Sequence, residues 1–204
     1  MATNLAQALQ LMLVTDDALI RGRDLVALVR GAEQGGITSV QLRLKGATAS
    51  ELAGLGRALL AAVRIPVFIN DRVDVAIAIG AHGVHLGPDD MPAAMARRIS
   101  PPGFVIGASV GVEGEVENGV HADYWGIGPW SATGTKQDAG AALGAPGFTR
   151  LRALAGTRPC IAIGGIQPGD VAPALAAGAA GVAVVSGILG AEDVVEATRR
   201  YRVL

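Results

Sequence analysis

Two short carboxylates, Asp71 and Asp90, stand where apolar runs break off. Phe68-Ile69-Asn70-Asp71-Arg72 ends abruptly in polar groups, and Gly83-Val84-His85-Leu86 ends the same way in Gly87-Pro88-Asp89-Asp90. Carboxylates at the ends of successive parallel strands converge on one rim of a sheet or barrel, which is where α/β folds keep their chemistry. Such a pair suits Mg2+, a hard ion that takes one or two carboxylates, several waters and the phosphates of a substrate. Either acid alone is better explained by ordinary duties: Asp71 capping the next helix, Asp90 closing a turn before Met91-Pro92. The two together, with basic and glycine-rich loops elsewhere, point to a cation.

Bringing those acids together requires parallel strands, and the chain supplies eight apolar runs, at 11–15, 39–43, 66–69, 83–86, 104–108, 123–127, 160–163 and 182–185. Helical spacing of apolar residues follows each: 23–34, a helix from Thr48 or Ser50 to 63, then 73–79, 93–99, 149–154, 171–177 and 192–202, with a weakly supported segment at 112–119. Strand–helix pairs recurring at roughly two dozen residues predict an α/β fold, a single (β/α)8 TIM barrel over residues 1–204. A doubly wound open sheet is the competitor, and the absence of GxGxxG after the first strand argues against it. The stretch 128–146, rich in Gly, Ala, Ser and Thr, reads as a long functional loop.

Composition agrees with buried parallel strands: half the residues are hydrophobic but only 3% aromatic, so the core is aliphatic. A net charge of -1 gives no general attraction to nucleic acid or an anionic membrane, so phosphate must be bound by locally placed cations and N–H groups. The single cysteine, Cys160, excludes an internal disulfide framework and lies in an apolar strand. No basic-then-apolar leader and no membrane-length apolar run are visible, so a cytoplasmic protein is the expectation.

The remaining polar residues of interest also fall at strand ends. Gln41, Arg43 and Lys45 close the second strand, Asn70 and Asp71 the third, Ser109 the fifth; Thr133, Thr135 and Lys136 lie in the long loop, and Gly164-Gly165 and Ser186-Gly187 follow the last two strands. The last two loops of such a barrel often hold phosphate on backbone N–H groups. His85, inside an apolar strand, reads as a packed core histidine. Trp125 and Trp130 read as packing residues, although Trp130 opens the long loop and is placed to line a pocket.

In this order and at these spacings the motifs resemble the thiamine-phosphate synthase family. The resemblance rests on Leu13-Val14-Thr15-Asp16, Gln41-x-Arg43-x-Lys45, Phe68-Ile69-Asn70-Asp71-Arg72-Val73-Asp74, Gly83-Val84-His85-Leu86-Gly87-x-x-Asp90, Gly126-x-Gly128-Pro129, Thr133-x-Thr135-Lys136 and Ala162-Ile163-Gly164-Gly165-Ile166. It implies a (β/α)8 barrel and a homodimer that condenses hydroxymethylpyrimidine diphosphate with a thiazole phosphate through a pyrimidine methylene cation. It further implies Mg2+ on Asp71 and Asp90, and pyrophosphate held by Arg43, Lys45, Asn70, Ser109 and Lys136. Gln41 would meet the pyrimidine, and the thiazole phosphate would rest at Gly165 and Val185-Ser186-Gly187, with Thr133 and Thr135 nearby. Two departures bear on the site: Gly111 stands where relatives commonly carry a His, and Trp130-Ser131-Ala132 replaces an aromatic–proline arrangement before Thr133.

Three other readings compete. A thiazole tautomerase of the same fold would want a positioned His, and Gly111 counts against it. A non-catalytic phosphate sensor would have lost Asp71, Asp90 or Lys136, and all three are present. A phosphosugar isomerase or aldolase would need a Lys, Glu or Cys inside the mouth, and no strand ends in Glu or Cys.

Overall fold

The computed structural model describes residues 4–132 and 140–202. Eight short strands pair in chain order, all parallel: β1 (Leu11–Val14), β2 (Ser39–Leu42), β3 (Val67–Asn70), β4 (Gly83–Leu86), β5 (Val105–Ser109), β6 (Tyr124–Ile127), β7 (Cys160–Ile163) and β8 (Gly181–Val184). Pairing of Leu11 with Val182 and Leu13 with Val184 closes β8 onto β1, so the sheet has no free edge.

Period-two alternation divides each strand between two cores. Leu13, Val40, Ile69, Val84, Ile106, Trp125 and Ala162 face outward into the large core shared with the helices. Met12, Val14, Phe68, Val105, Tyr124, Ile161 and Ala183 form a separate inner cluster that fills the barrel, and Leu5 and Leu9 join it from the entry to β1. The barrel is thus a packed core with a floor, and its polar inward residues lie above that filling. Large and small side chains alternate inside it: a Cβ at Gly107 would stand 2.2 Å from Tyr124 Cζ, because the phenol ring occupies that space.

Eleven α-helical segments are seen among the described residues. In chain order they are α1 (Leu5–Ala8), α2 (Asp17–Ile20), α3 (Leu25–Gly35), α4 (Ala49–Ala62), α5 (Val73–Ala78), α6 (Ala93–Ile99), α7 (Val116–Gly119), α8 (Gly144–Leu154), α9 (Val171–Ala176), α10 (Ser186–Leu189) and α11 (Val194–Arg199). Their starts follow local chemistry. Asp24 caps α3, and Thr48 with Glu51 forms a reciprocal capping box on α4. Among the described residues no helix is long and apolar enough to cross a membrane.

Sequence periodicity places the strands to within a residue or two, but misplaces three features. α8 begins at Gly144, inside the stretch expected to be irregular, because Pro146 sits in its first turn, where no N–H is needed. The final helix is shorter than expected, and α2 and α10 are single turns too brief to show a periodic pattern. The weak segment at 112–119 is a 3-10 turn, Glu113–Glu115, running into α7.

Two glycine-to-alanine changes should move stability in opposite directions. Gly107→Ala forces a methyl into the Tyr124 ring and should destabilise by about 1–3 kcal/mol or more. Gly54→Ala, on the exposed face of α4 with nothing within 4 Å, should stabilise by about 0.5–1 kcal/mol. Urea melts of the two variants check this; shifts of the same sign, or a Gly107→Ala variant as stable as the wild type, would contradict the packing described.

Candidate active site at the barrel mouth

The C-terminal ends of the first two strands are stapled together. Thr15 is fully buried; its hydroxyl donates to Arg43 O at 3.0 Å and accepts from Arg43 N at 2.8 Å. Asp16 uses one carboxylate oxygen to cap α2, accepting from Ala18 N and Leu19 N, and the other to pair with Arg43 Nη1 at 3.5 Å. Asp17 accepts from Lys45 N at 2.7 Å. The three residues after β1 thereby fix the backbone and the cations of the loop after β2. Sequence reasoning assigned them no role. The signal available was three consecutive short hydrogen-bonding side chains immediately beyond a strand.

Lys45 reaches across to the next loop, where its Nζ lies 2.5 Å from Asp71 Oδ2. Asp71 does not cap α5: its own φ is +64°, a left-handed value uncommon outside glycine, and Arg72 occupies the cap position without a side-chain bond. The conformation is held by Asp71 N donating to His85 O and Arg72 N donating to Asn70 O, both at 2.8 Å. Asp is among the residues that tolerate this region, though at a strain of about 1–2 kcal/mol. Strain of that kind concentrates where a side chain must be aimed.

Asp90 arrives beside Asp71 from the loop after β4. Its Oδ2 accepts from Gly87 N at 2.7 Å, so it does close a turn, as its spacing suggested. Burial, and then the hydrogen-bonded Asp71 carboxyl next to it, push the Asp90 carboxyl up to about 6, against the pull of Gly87 N–H and Lys45. Among the described residues no group of three or more His, Cys, Asp or Glu converges to cage a metal. A hard cation on this pair would therefore draw its other oxygens from water or from a substrate, which fits the donor habits of Mg2+.

Inside the rim, alternation points Gln41, Asn70, His85 and Ser109 toward the barrel axis. Gln41 is buried, with its amide nitrogen 3.7 Å from Met12 Sδ. Asn70 is partly exposed and pairs in register with His85. Ser109 Oγ lies 3.0 Å from His85 Nε2, and His85 Nδ1 lies 2.9 Å from the hydroxyl of the fully buried Tyr124. The expectation that His85 is a packed core histidine is correct as to burial, but its ring is tied at both nitrogens into a polar chain that ends at the mouth.

Across the barrel, Gly164 and Gly165 both have positive φ, at 90° and 68°. The segment after β6 lies directly over them: Trp130 N donates to Ile163 O and Ser131 N to Gly164 O. A Cβ at Gly165 would be 2.8 Å from Ser131 O. Glycine is therefore required there by backbone conformation and by close approach together. Val185 follows β8 and precedes α10, leaving Ser186 exposed at the first position of that helix. Trp130 packs as its first reading expected: it is 5% exposed and stacks edge-on against Phe148 at 5.9 Å. Gly111 N donates to Glu115 Oε2, and a Cβ there would stand 3.0 Å from Gly128 O, so position 111 faces the loop after β6. Thr133, Thr135 and Lys136 lie outside the described residues.

A closed parallel barrel whose cations, carboxylates and glycine turns gather at the C-terminal rim has the layout of a TIM-barrel enzyme. Comparison with known proteins narrows that class. The family model described as thiamine monophosphate synthase matches residues 11–188. The thiamine-phosphate synthase of Azorhizobium caulinodans is 47% identical over 201 residues, covering 96% of this chain and 94% of that protein. That of Xanthobacter autotrophicus is 49% identical, covering 95% and 94%. Among solved structures, thiamine phosphate pyrophosphorylase from Pyrococcus furiosus superposes with a TM-score of 0.86 at 37% identity, covering 97% and 96%. The chain belongs to the thiamine monophosphate synthase family and is a transferase enzyme.

The Asp71–Asp90 pair carries a stability signature. The folded Asp90 carboxyl titrates about 6 and the unfolded one near 3.8, so the fold binds the proton more tightly. Stability is thus lost as pH rises through that interval. Asp90→Asn, which keeps an oxygen for Gly87 N–H, should raise the metal-free melting temperature at pH 8, by an amount that shrinks to nothing near pH 4. Thermal scans in EDTA across that range measure it; a variant that melts lower at pH 8 would contradict the crowding of the two acids.

Proposed function

We propose that the chain is a thiamine-phosphate synthase that joins hydroxymethylpyrimidine diphosphate to a hydroxyethylthiazole phosphate, releasing pyrophosphate. The observation that carries the reading is the Lys45–Asp71–Asp90 cluster at the rim: a cation already sits on one carboxylate, and the second carboxylate is forced against the first. A diphosphate accompanied by a divalent ion satisfies all three groups. Membership of the family supports the same reaction class.

Asp71 and Asp90 would hold Mg2+, which when bound stabilises the negative charge that grows on the departing pyrophosphate. Lys45, released from Asp71, then turns its ammonium to the phosphates. Arg43, fixed at its backbone by Thr15 and at its guanidinium by Asp16, presents a planar fork suited to phosphate oxygens. Asn70 and Ser109 line the same side of the mouth; Lys136, outside the described residues, is assigned to the same leaving group by the family resemblance alone. Gln41 lies deeper, where its amide can meet the edge of the pyrimidine. Loss of pyrophosphate leaves a resonance-stabilised pyrimidine methylene cation. The thiazole nitrogen captures it, while the thiazole phosphate rests on backbone N–H groups near Gly165 and Val185-Ser186; a part for Thr133 and Thr135, outside the described residues, rests on the family resemblance alone. Every proton the reaction requires is already in place, so no general base is invoked.

Pyrophosphate release is measured with both substrates, with Mg2+ or with EDTA. Release should need the metal and the thiazole phosphate, and Asp71→Ala should lower kcat on the order of 10²-fold or more. Arg43→Lys, which keeps charge but loses the fork, should retain more activity than Arg43→Ala yet fall short of wild type. Metal-independent turnover, or full activity in Asp71→Ala, would sink the assignment.

A further inference from the structure

Two buried members of the polar chain beneath the mouth, Tyr124 and His85, have been given no role so far. It climbs the barrel interior across three neighbouring strands. Tyr124 lies in the inner apolar cluster, His85 sits one layer above it, and Ser109 is at the rim. The register shows the path: His85 pairs with Gly107, Gly107 with Tyr124, and Ser109 with Gly126. Both inward glycines leave room for it, since a Cβ at Gly107 would strike the phenol ring and one at Gly126 would stand 3.1 Å from His85 Cε1.

We infer that Tyr124 and His85 are positioning residues for Ser109: the phenol O–H donates to His85 Nδ1, His85 Nε2–H donates to Ser109 Oγ, and the serine hydroxyl is left to donate into the mouth. The direction follows from where acceptors exist. Among the described residues the Tyr124 hydroxyl has no hydrogen-bond partner other than His85 Nδ1, so its proton goes to the imidazole. Burial pushes the phenol far above its usual range, and the proton stays on that oxygen. A ring that accepts at Nδ1 carries its hydrogen at Nε2, the tautomer being set by the partner of the other nitrogen.

Direction matters because a serine has one proton. With Nε2–H donating, Ser109 receives at its lone pairs and turns its O–H outward, toward an anion. In the opposite tautomer the hydroxyl would point down to the ring and present lone pairs to that anion. The hydrogen-bond chain thus decides whether this rim position attracts or repels a departing pyrophosphate. This catalytic consequence rests on the proposed contact of Ser109 with that group; the direction of the chain does not.

Long-range 15N–1H correlation spectra of the ligand-free protein read the tautomer of His85 directly, with the signal assigned by its loss in His85→Gln. The expected result is a pyridine-like Nδ1 and a protonated Nε2. A protonated Nδ1 overturns the inference whatever the kinetics. In turnover, His85→Gln keeps an N–H that can reach Ser109 and should stay within about tenfold of wild type. His85→Leu and Ser109→Ala should each lower kcat on the order of 10²-fold, with the KM for thiazole phosphate unchanged, and the double variant should be no worse than either. Multiplying losses in the double variant would overturn the relay. A fully active Ser109→Ala, with the expected tautomer intact, would remove the catalytic consequence and the pyrophosphate contact together.

Discussion

Two carboxylates brought within hydrogen-bonding reach of one another cannot both remain ionised without a positive charge to share. In this barrel that constraint is met at one edge by Lys45 and left unmet at the other, where Asp90 holds its proton up to about pH 6. The rest of the mouth is arranged to sustain this crowding. Asp71 is aimed by a left-handed backbone that β4 pins through His85 O, and Lys45 is held at its backbone by Asp17. A folded protein that maintains such an arrangement has set aside stability at its rim, which on the proposed reading a cation bound with phosphate would recover.

The barrel makes this affordable by separating its duties. Outward residues of every strand pack on helices and carry most of the apolar burial, while the inner cluster needs only a few large residues, Phe68 and Tyr124 above all, opposite glycines. Polar groups can then occupy the upper inward positions without opening the core. None of their buried side-chain nitrogen or oxygen atoms among the described residues is left without a hydrogen bond. In a chain whose net charge is only -1, the affinity for phosphate that we propose would have to be built locally, at one end of the barrel.

Much of this was legible in the sequence. Eight apolar runs at even spacing gave the barrel, and polar residues at their ends marked the rim, because strand alternation and strand-end chemistry are local properties. Asp71 and Asp90 could be paired on paper since each ends a consecutive unit. What sequence reasoning could not see was contact between units. Thr15-Asp16-Asp17 looks like no more than a strand end until Arg43 and Lys45 are found against it. His85 looks like core until Tyr124, 39 residues on, meets its far nitrogen. Trp130 looked suited to a pocket because it opens a glycine-rich stretch, but Phe148, on a helix that periodicity began five residues too late, takes it into the core.

The central claim is that the rim binds a divalent cation and a diphosphate as one unit. Calorimetric titration of the wild-type protein with inorganic pyrophosphate, with and without Mg2+, tests it without requiring turnover. The account predicts reciprocal coupling: pyrophosphate binds tightly only with Mg2+, Mg2+ only with pyrophosphate, and both effects disappear in Asp71→Asn. Pyrophosphate affinity that is the same in EDTA and in Mg2+, or unchanged in Asp71→Asn, would contradict it.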